Sequence, residues 1–112
     1  MLPDENDLSK IPQDPKNVLT SEKVELGKLL FHETGIALGP TKDFSMGTFS
    51  CASCHFAGAG FQSGRFQGIG DGGSGFGRNG EGRVRGSLYR GEDLDVQPIR
   101  VPTAMNLSLI HI

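Results

Sequence analysis

A glycine-rich tract in the second half of the chain limits the folds that this sequence can adopt more than any other feature does. The segment GIGDGGSGFGRNGEGRVRG holds nine glycines between Gly68 and Gly86, and neither a helical period nor a strand alternation survives in it. Each glycine loses much backbone entropy on folding and adds no apolar area to a core. We therefore predict a loop here, either moulded around another group or mobile.

The rest of the composition supplies little to offset this tract. Of the 112 residues, 36% are hydrophobic, 17 are glycine and none is tryptophan. This length allows at most one small domain, and such chains usually need a disulfide, a metal or a cofactor to be stable. The formal net charge of −2 does not suggest nucleic-acid binding. No apolar run approaches the roughly 18 residues of a membrane span.

Both cysteines lie in the segment FSCASCHF, at Cys51 and Cys54, and His55 follows directly. On a helical turn, two thiols at i and i+3 share one face, at the spacing that lets them add to the two vinyl groups along one haem edge. The histidine behind the second thiol can then bind the iron. Because C-x-x-C-H is the attachment signature of c-type haem, we predict covalent haem at Cys51 and Cys54, with His55 as an axial ligand.

Three other uses of the cysteines compete with haem attachment. A zinc site needs a second pair of Cys or His ligands, and none is suitably placed in the sequence. A thioredoxin-like dithiol follows a strand, whereas the SMGTFS segment before Cys51 is a loop. A structural disulfide would leave His55 without a role.

The chain divides into three expected segments. Residues 1–19 hold three of the six prolines and predict an extended arm. They show no signal peptide, because the N-terminus has neither a basic region nor an apolar run. Residues 20–106 form the expected haem domain, and residues 107–112 form a tail.

A helix opens the expected haem domain. Thr20 is a good N-cap, Glu22 suits the first turn, and helix formers follow. Gly27 on the apolar arc would let a neighbour or a cofactor approach closely. The residues expected to share one buried arc are Val24, Leu26, Gly27, Leu30 and Phe31.

The second axial ligand of the iron is less well defined by the sequence. Met105 lies far enough downstream to reach the distal face, and its alternative role is to fill the core. His32 suits a partly exposed helix position better than a ligand position, and Met46 precedes Cys51 too closely to cross the ring. A distal site that is open or holds water is the further alternative, and peroxide chemistry needs such a site.

Other residues could contact the haem or a second ion. Haem propionates pair well with guanidinium groups, and Arg100 is our preferred contact ahead of Arg65, Arg83 and Arg85. The glycine tract contains a G-x-G-x-x-G pattern, but neither the strand before it nor the helix after it that nucleotide binding requires. It also offers oxygen ligands for calcium without EF-hand spacing, from Asp71, Asn79 and Glu81.

An ordered set of segments resembles the first part of the bacterial di-haem cytochrome c peroxidase family. The segments are LTSEKVELGKLLF, FSCASCH, GAGFQSGR and RVPTAMN, and together they span roughly residues 11–106. The resemblance implies a mainly α, cytochrome c-like haem domain, present here in part and with long glycine-rich loops. It also implies a periplasmic protein in which the first haem reduces hydrogen peroxide. A second haem would take electrons from a small donor protein of the cytochrome c or cupredoxin type.

The departures from the family predict that this chain is an N-terminal fragment. Family members carry a second C-x-x-C-H, a distal glutamine and a distal glutamate, and no residue here can be assigned to them. The tail LSLIHI equals the translation of a transposase end sequence used to prepare sequencing libraries, so we expect residues 107–112, including His111, not to be native. The fragment alone is expected to be inactive. The alternative is a complete single-haem cytochrome that carries electrons, with Met105 as ligand.

Overall fold

The computed structural model describes residues 7–105, and one α-helix, α1 (Ser21–His32), is its longest regular element. The hydroxyl of Thr20 caps the helix by accepting the N–H of Lys23 at 3.3 Å, and Glu22 lies in the first turn, where a negative charge stabilises the helix dipole. At the other end, Glu33 leaves helical geometry, and its carboxylate accepts the N–H of Gly35 at 2.6 Å. The helix predicted after Thr20 is therefore confirmed.

The glycine tract folds back on itself as a minimal hairpin. Strand β1 (Gly73–Ser74) pairs antiparallel with β2 (Val84–Arg85). The prediction of a loop from Gly68 to Gly86 is wrong at these two strands, since a pair of two-residue strands is too short to produce an alternation in the sequence. Short 3-10 turns complete the regular structure of residues 7–105, at Leu8–Lys10, Thr34–Ile36, Asp43–Ser45, Cys51–Ser53, Ala57–Ala59 and Gly91–Asp93.

The interior of residues 7–105 is small and unusually polar. Its buried apolar residues are Ala52, Phe56, Ile69 and Val101. Its buried polar residues are Ser45, Ser53, Ser63, Asp71 and Arg83. Hydrogen bonds, rather than a large apolar contact area, hold the loops around this interior together.

Helix α1 packs against the Cys51–Ser53 turn through its C-terminal end. The ring of Phe31 lies 5.7 Å from that of Phe61 and 6.5 Å from that of His55, measured between centroids. No residue of α1 is buried, so the predicted buried arc is wrong for the part of the chain that the structure describes. A helix buries an apolar arc only against another packed layer, and residues 7–105 place only loops and turns beside α1.

Several sequence predictions are not decided by this architecture. The mainly α, cytochrome c-like fold remains a prediction, because the described chain contains one α-helix and one small sheet. Within residues 7–105, no helix has both the length and the apolar character needed to cross a membrane. The first six residues of the predicted arm and the predicted tail, including His111, lie outside the described residues.

Candidate functional site

A single 3-10 turn brings the two thiols and the imidazole of the C-x-x-C-H segment together. The main-chain N–H groups of Cys54 and His55 both donate to the carbonyl oxygen of Cys51, at 3.2 and 3.0 Å. The turn is closed at its start by Ser53, whose hydroxyl accepts the N–H of Ser50 at 3.0 Å. Cys51, Cys54 and His55 therefore lie in one turn, as is required if both thiols and the imidazole are to bind the same group.

Both cysteines are free thiols in this turn, and they differ in environment. Cys51 is exposed, whereas Cys54 is half-buried. Burial raises the pKa of the Cys54 thiol, although the nearby positive charge of Arg83 opposes this shift. A raised pKa keeps the thiol protonated at neutral pH, and an S–H group is what adds across a vinyl double bond.

The imidazole of His55 is held in one orientation by the main chain. Its Nδ1 lies 2.8 Å from the carbonyl oxygen of Phe61. A carbonyl can only accept, so Nδ1 carries the proton and Nε2 keeps a free lone pair. Phe61 adopts a left-handed backbone angle, φ 56°, which is uncommon for a residue other than glycine. Histidines that bind metals usually donate their other ring nitrogen in this way.

His55 lines an apolar cavity of about 280 Å³. A second apolar cavity of about 430 Å³ lies beside it and shares His32 and Ala57 as wall residues. The other residues around the first cavity are Ala52, Phe56, Ala57 and Phe76. Free thiols, a metal-binding lone pair and apolar walls together fit a haem group bound at this turn.

His32 and Arg100 have main-chain partners of their own. His32 ends α1, and its Nδ1 lies 2.9 Å from the carbonyl oxygen of Lys28, while its ring contributes to both apolar cavities. Arg100 is exposed and donates from Nε to the carbonyl oxygen of Ser63 at 3.2 Å. Its predicted contact with a haem propionate remains a prediction.

Met105 is not brought to the wall of the cavity that His55 lines. Its side chain is half exposed and approaches Gly60. The predicted distal ligation by Met105 remains a prediction.

The acidic residues considered for calcium accept hydrogen bonds from the main chain of different loops. Asp71 is buried and accepts the main-chain N–H of Thr41, whereas Glu81 accepts the N–H groups of Arg78 and Asn79, at 3.0 and 2.7 Å. Within residues 7–105, no three His, Cys, Asp or Glu side chains converge as a group that could hold a metal ion.

Three residues that shape the site were not assigned these roles from the sequence. Phe61 orients His55, Phe76 forms a wall of its cavity, and Arg83 lies buried behind Phe76. A positive φ at a phenylalanine and the burial of an arginine leave no pattern in a single sequence. The GAGF segment gave the one available hint, because a glycine just before Phe61 favours a tight turn.

The turn, the oriented histidine and the adjoining apolar cavities together define a candidate haem protein. Comparison with protein families gives the specific assignment, since the family model described as di-haem cytochrome c peroxidase matches residues 21–109. The chain belongs to this family, which is a family of haem proteins that use a peroxide as substrate. No curated protein and no solved structure matched the chain.

Proposed function

We propose that this chain is the N-terminal haem-binding part of a di-haem cytochrome c peroxidase. The orientation of His55 carries the proposal, because its Nε2 is left free for iron in the same turn that holds both thiols. The family match over residues 21–109 supports the same assignment. The expected setting is the periplasm, with hydrogen peroxide as oxidant and a small cytochrome c or cupredoxin as electron donor.

Cys51 and Cys54 would hold the haem through thioether bonds. In each attachment, the S–H and the vinyl π bond break while an S–C and a C–H bond form, so no oxidant is needed. His55 would supply the axial nitrogen, and the aromatic wall around it would exclude water from that side of the iron. When bound, the haem supplies the iron for two-electron reduction of peroxide, which also consumes two protons and yields two waters.

The whole enzyme requires more than these residues. A second haem and a distal proton donor are expected from the rest of the family's architecture, and neither is assigned to a residue here. General acid catalysis of peroxide cleavage is typically worth about 10²–10⁴ in rate. We therefore propose that the fragment binds haem but is a poor peroxidase by itself.

Expression of the chain together with the haem-attachment machinery tests the proposal. We expect a pyridine haemochrome spectrum of c-type haem that survives denaturation and is lost when both cysteines are replaced, in Cys51→Ala with Cys54→Ala. His55→Ala should keep the covalent haem but lose its axial nitrogen, which the absorption and electron paramagnetic resonance spectra report. His32→Ala is the matched control from the same cavity and should keep the wild-type spectra.

Two outcomes would count against the proposal. Failure of the wild-type chain to retain any haem after denaturation would remove the assignment of Cys51 and Cys54. A sulfur-to-iron absorption band that disappears in Met105→Ala would instead favour the single-haem electron carrier.

A further inference from the structure

Arg83 is a buried cation that has no anionic partner among the described residues. Its side chain is 2% exposed, and it donates to the carbonyl oxygens of Ile69, Gly70 and Gly75, at 2.5, 2.6 and 3.3 Å. Among residues 7–105, no carboxylate forms an ion pair with it. Burial lowers the pKa of the guanidinium, yet an arginine stays charged in proteins. A buried charge without a counterion is costly, so this position favours a bound anion.

A cavity of about 350 Å³ opens beside Arg83 under the glycine tract. No acidic side chain among residues 7–105 lines it, and its volume lies in the range of small-molecule sites, about 300–1,000 Å³. Gly73, Gly75 and Gly86 contribute main-chain atoms to its wall. The large side chains of its wall are Phe44, Phe76, Leu88 and Tyr89.

The walls favour a flat apolar body over a free inorganic anion. The ring of Tyr89 lies 5.2 Å from that of Phe44 between centroids, and the ring of Phe76 lies 5.7 Å from the guanidinium carbon of Arg83. Aromatic rings prefer to pack against other rings at such spacings. Asp71 accepts a hydrogen bond from the hydroxyl of the wall residue Tyr89 at 3.5 Å and from the N–H of Thr41, but it does not itself line the cavity.

We propose that this cavity binds a carboxylate carried on a planar apolar body, with Arg83 pairing to the carboxylate. Two sources share this chemistry. One is a free aromatic acid, and the other is a propionate of the haem itself, because Phe76 is a wall of both this cavity and the cavity that His55 lines. The propionate source rests on the proposed function, whereas the free-acid source does not.

Calorimetric titration of the haem-loaded chain with benzoate tests the free-acid source, with benzamide as the neutral analogue of the same shape. Arg83 itself is a poor position for the first variant, because its loss also breaks three hydrogen bonds to the main chain. Leu88 lines the cavity, is 77% exposed and donates no side-chain hydrogen bond. Leu88→Asp therefore adds a repelling charge, and Leu88→Asn is its neutral control.

For a free-acid site, benzoate should bind about 10-fold or more tightly than benzamide, and Leu88→Asp should weaken benzoate about 10-fold relative to Leu88→Asn. For a propionate site, benzoate should not bind, and the propionate bending mode in the resonance Raman spectrum should differ between Leu88→Asp and Leu88→Asn. Equal binding of benzoate and benzamide overturns the proposal. So does the absence of benzoate binding with an unchanged Raman mode. The haemochrome spectrum of each variant is recorded before its titration, so that only haem-loaded protein is compared.

Discussion

At the scale of single residues, the orientation of His55 depends on an unusual backbone angle at Phe61. The angle φ of 56° directs the Phe61 carbonyl to Nδ1 of His55, and the phenyl ring packs edge-on against Phe31. Left-handed angles cost a residue with a side chain roughly 1–2 kcal/mol. The aromatic contacts of Phe61 offset that cost, so the same residue both carries the strain and compensates for it.

This balance predicts an inverted order of stability at position 61. Phe61→Ala removes the ring and keeps the strain, whereas Phe61→Gly removes both. We expect both variants to lose stability, with the glycine variant more stable than the alanine variant by roughly 0.5–1 kcal/mol. Urea unfolding of the haem-loaded proteins measures this order. The usual order, alanine above glycine, would show that position 61 is not strained.

Asp71 ties the loop that contains Thr41 to the glycine tract. Burial raises the pKa of its carboxyl. Hydrogen bonds from Thr41, Ser45 and Gly72 lower that pKa by more than burial raises it, so the pKa lies below its ordinary value. A depressed pKa in the folded state means that ionised Asp71 stabilises the fold above about pH 4. This contribution is lost as the pH falls through the folded-state pKa.

Asp71→Asn should therefore lower the free energy of unfolding at pH 7. The difference from wild type should shrink as the pH falls below about 4, because Asp71 then binds a proton in the unfolded chain first and in the folded protein only at lower pH. Urea titrations at pH 7, 5 and 3 test this expectation. Asp43→Asn is the control, because Asp43 is an exposed carboxylate in the loop that contains Thr41. A difference that is the same at all three pH values would show that the charge of Asp71 is not involved.

At the scale of elements, α1 and the glycine tract differ in how far the sequence determined them. Local signals place α1, since a cap at Thr20 and a run of helix formers act within a few residues. The fold of the tract depends on long-range hydrogen bonds between the guanidinium of Arg83 and main-chain carbonyls, which have no period in the sequence. The site differs in the same way. The spacing of Cys51, Cys54 and His55 in the sequence predicted that they act together, whereas no sequence pattern predicted the residues of the cavity walls.

Two glycines that look alike in the sequence should respond oppositely to alanine. At Gly27 in α1, a Cβ would meet no atom within 4 Å, so Gly27→Ala should stabilise the chain by roughly 0.5–1 kcal/mol. At Gly64, a Cβ would overlap the main-chain carbonyl of Asn79, so Gly64→Ala should destabilise it by about 1–3 kcal/mol or more. Thermal unfolding of the two haem-loaded variants measures both effects. A loss of stability in Gly27→Ala would show that the haem or another part of the protein packs closely against α1, since Gly27 lines the second apolar cavity.

At the scale of the whole molecule, residues 7–105 bury too little apolar surface to explain a stable fold by themselves. The radius of gyration is 16.0 Å, whereas a compact domain of about 100 residues has one near 13 Å. Large apolar side chains stay exposed on α1 and in or just before the glycine tract, among them Leu26, Leu29, Leu30, Phe66 and Phe76. A haem bound beside His55 would give part of this surface a partner.

Folding of the chain should therefore depend on haem. A ligand that binds only the folded state stabilises it, and a covalent haem does so without dissociating. We expect the haem-loaded chain to unfold in one cooperative thermal transition, followed by near-ultraviolet circular dichroism. The Cys51→Ala, Cys54→Ala double variant, prepared in the same way, should show no such transition. The single variant His32→Ala keeps both thiols and should still show one cooperative transition. A sharp, cooperative transition in the haem-free double variant would refute this dependence and show that the loops held by Arg83 and Asp71 are sufficient to define the fold.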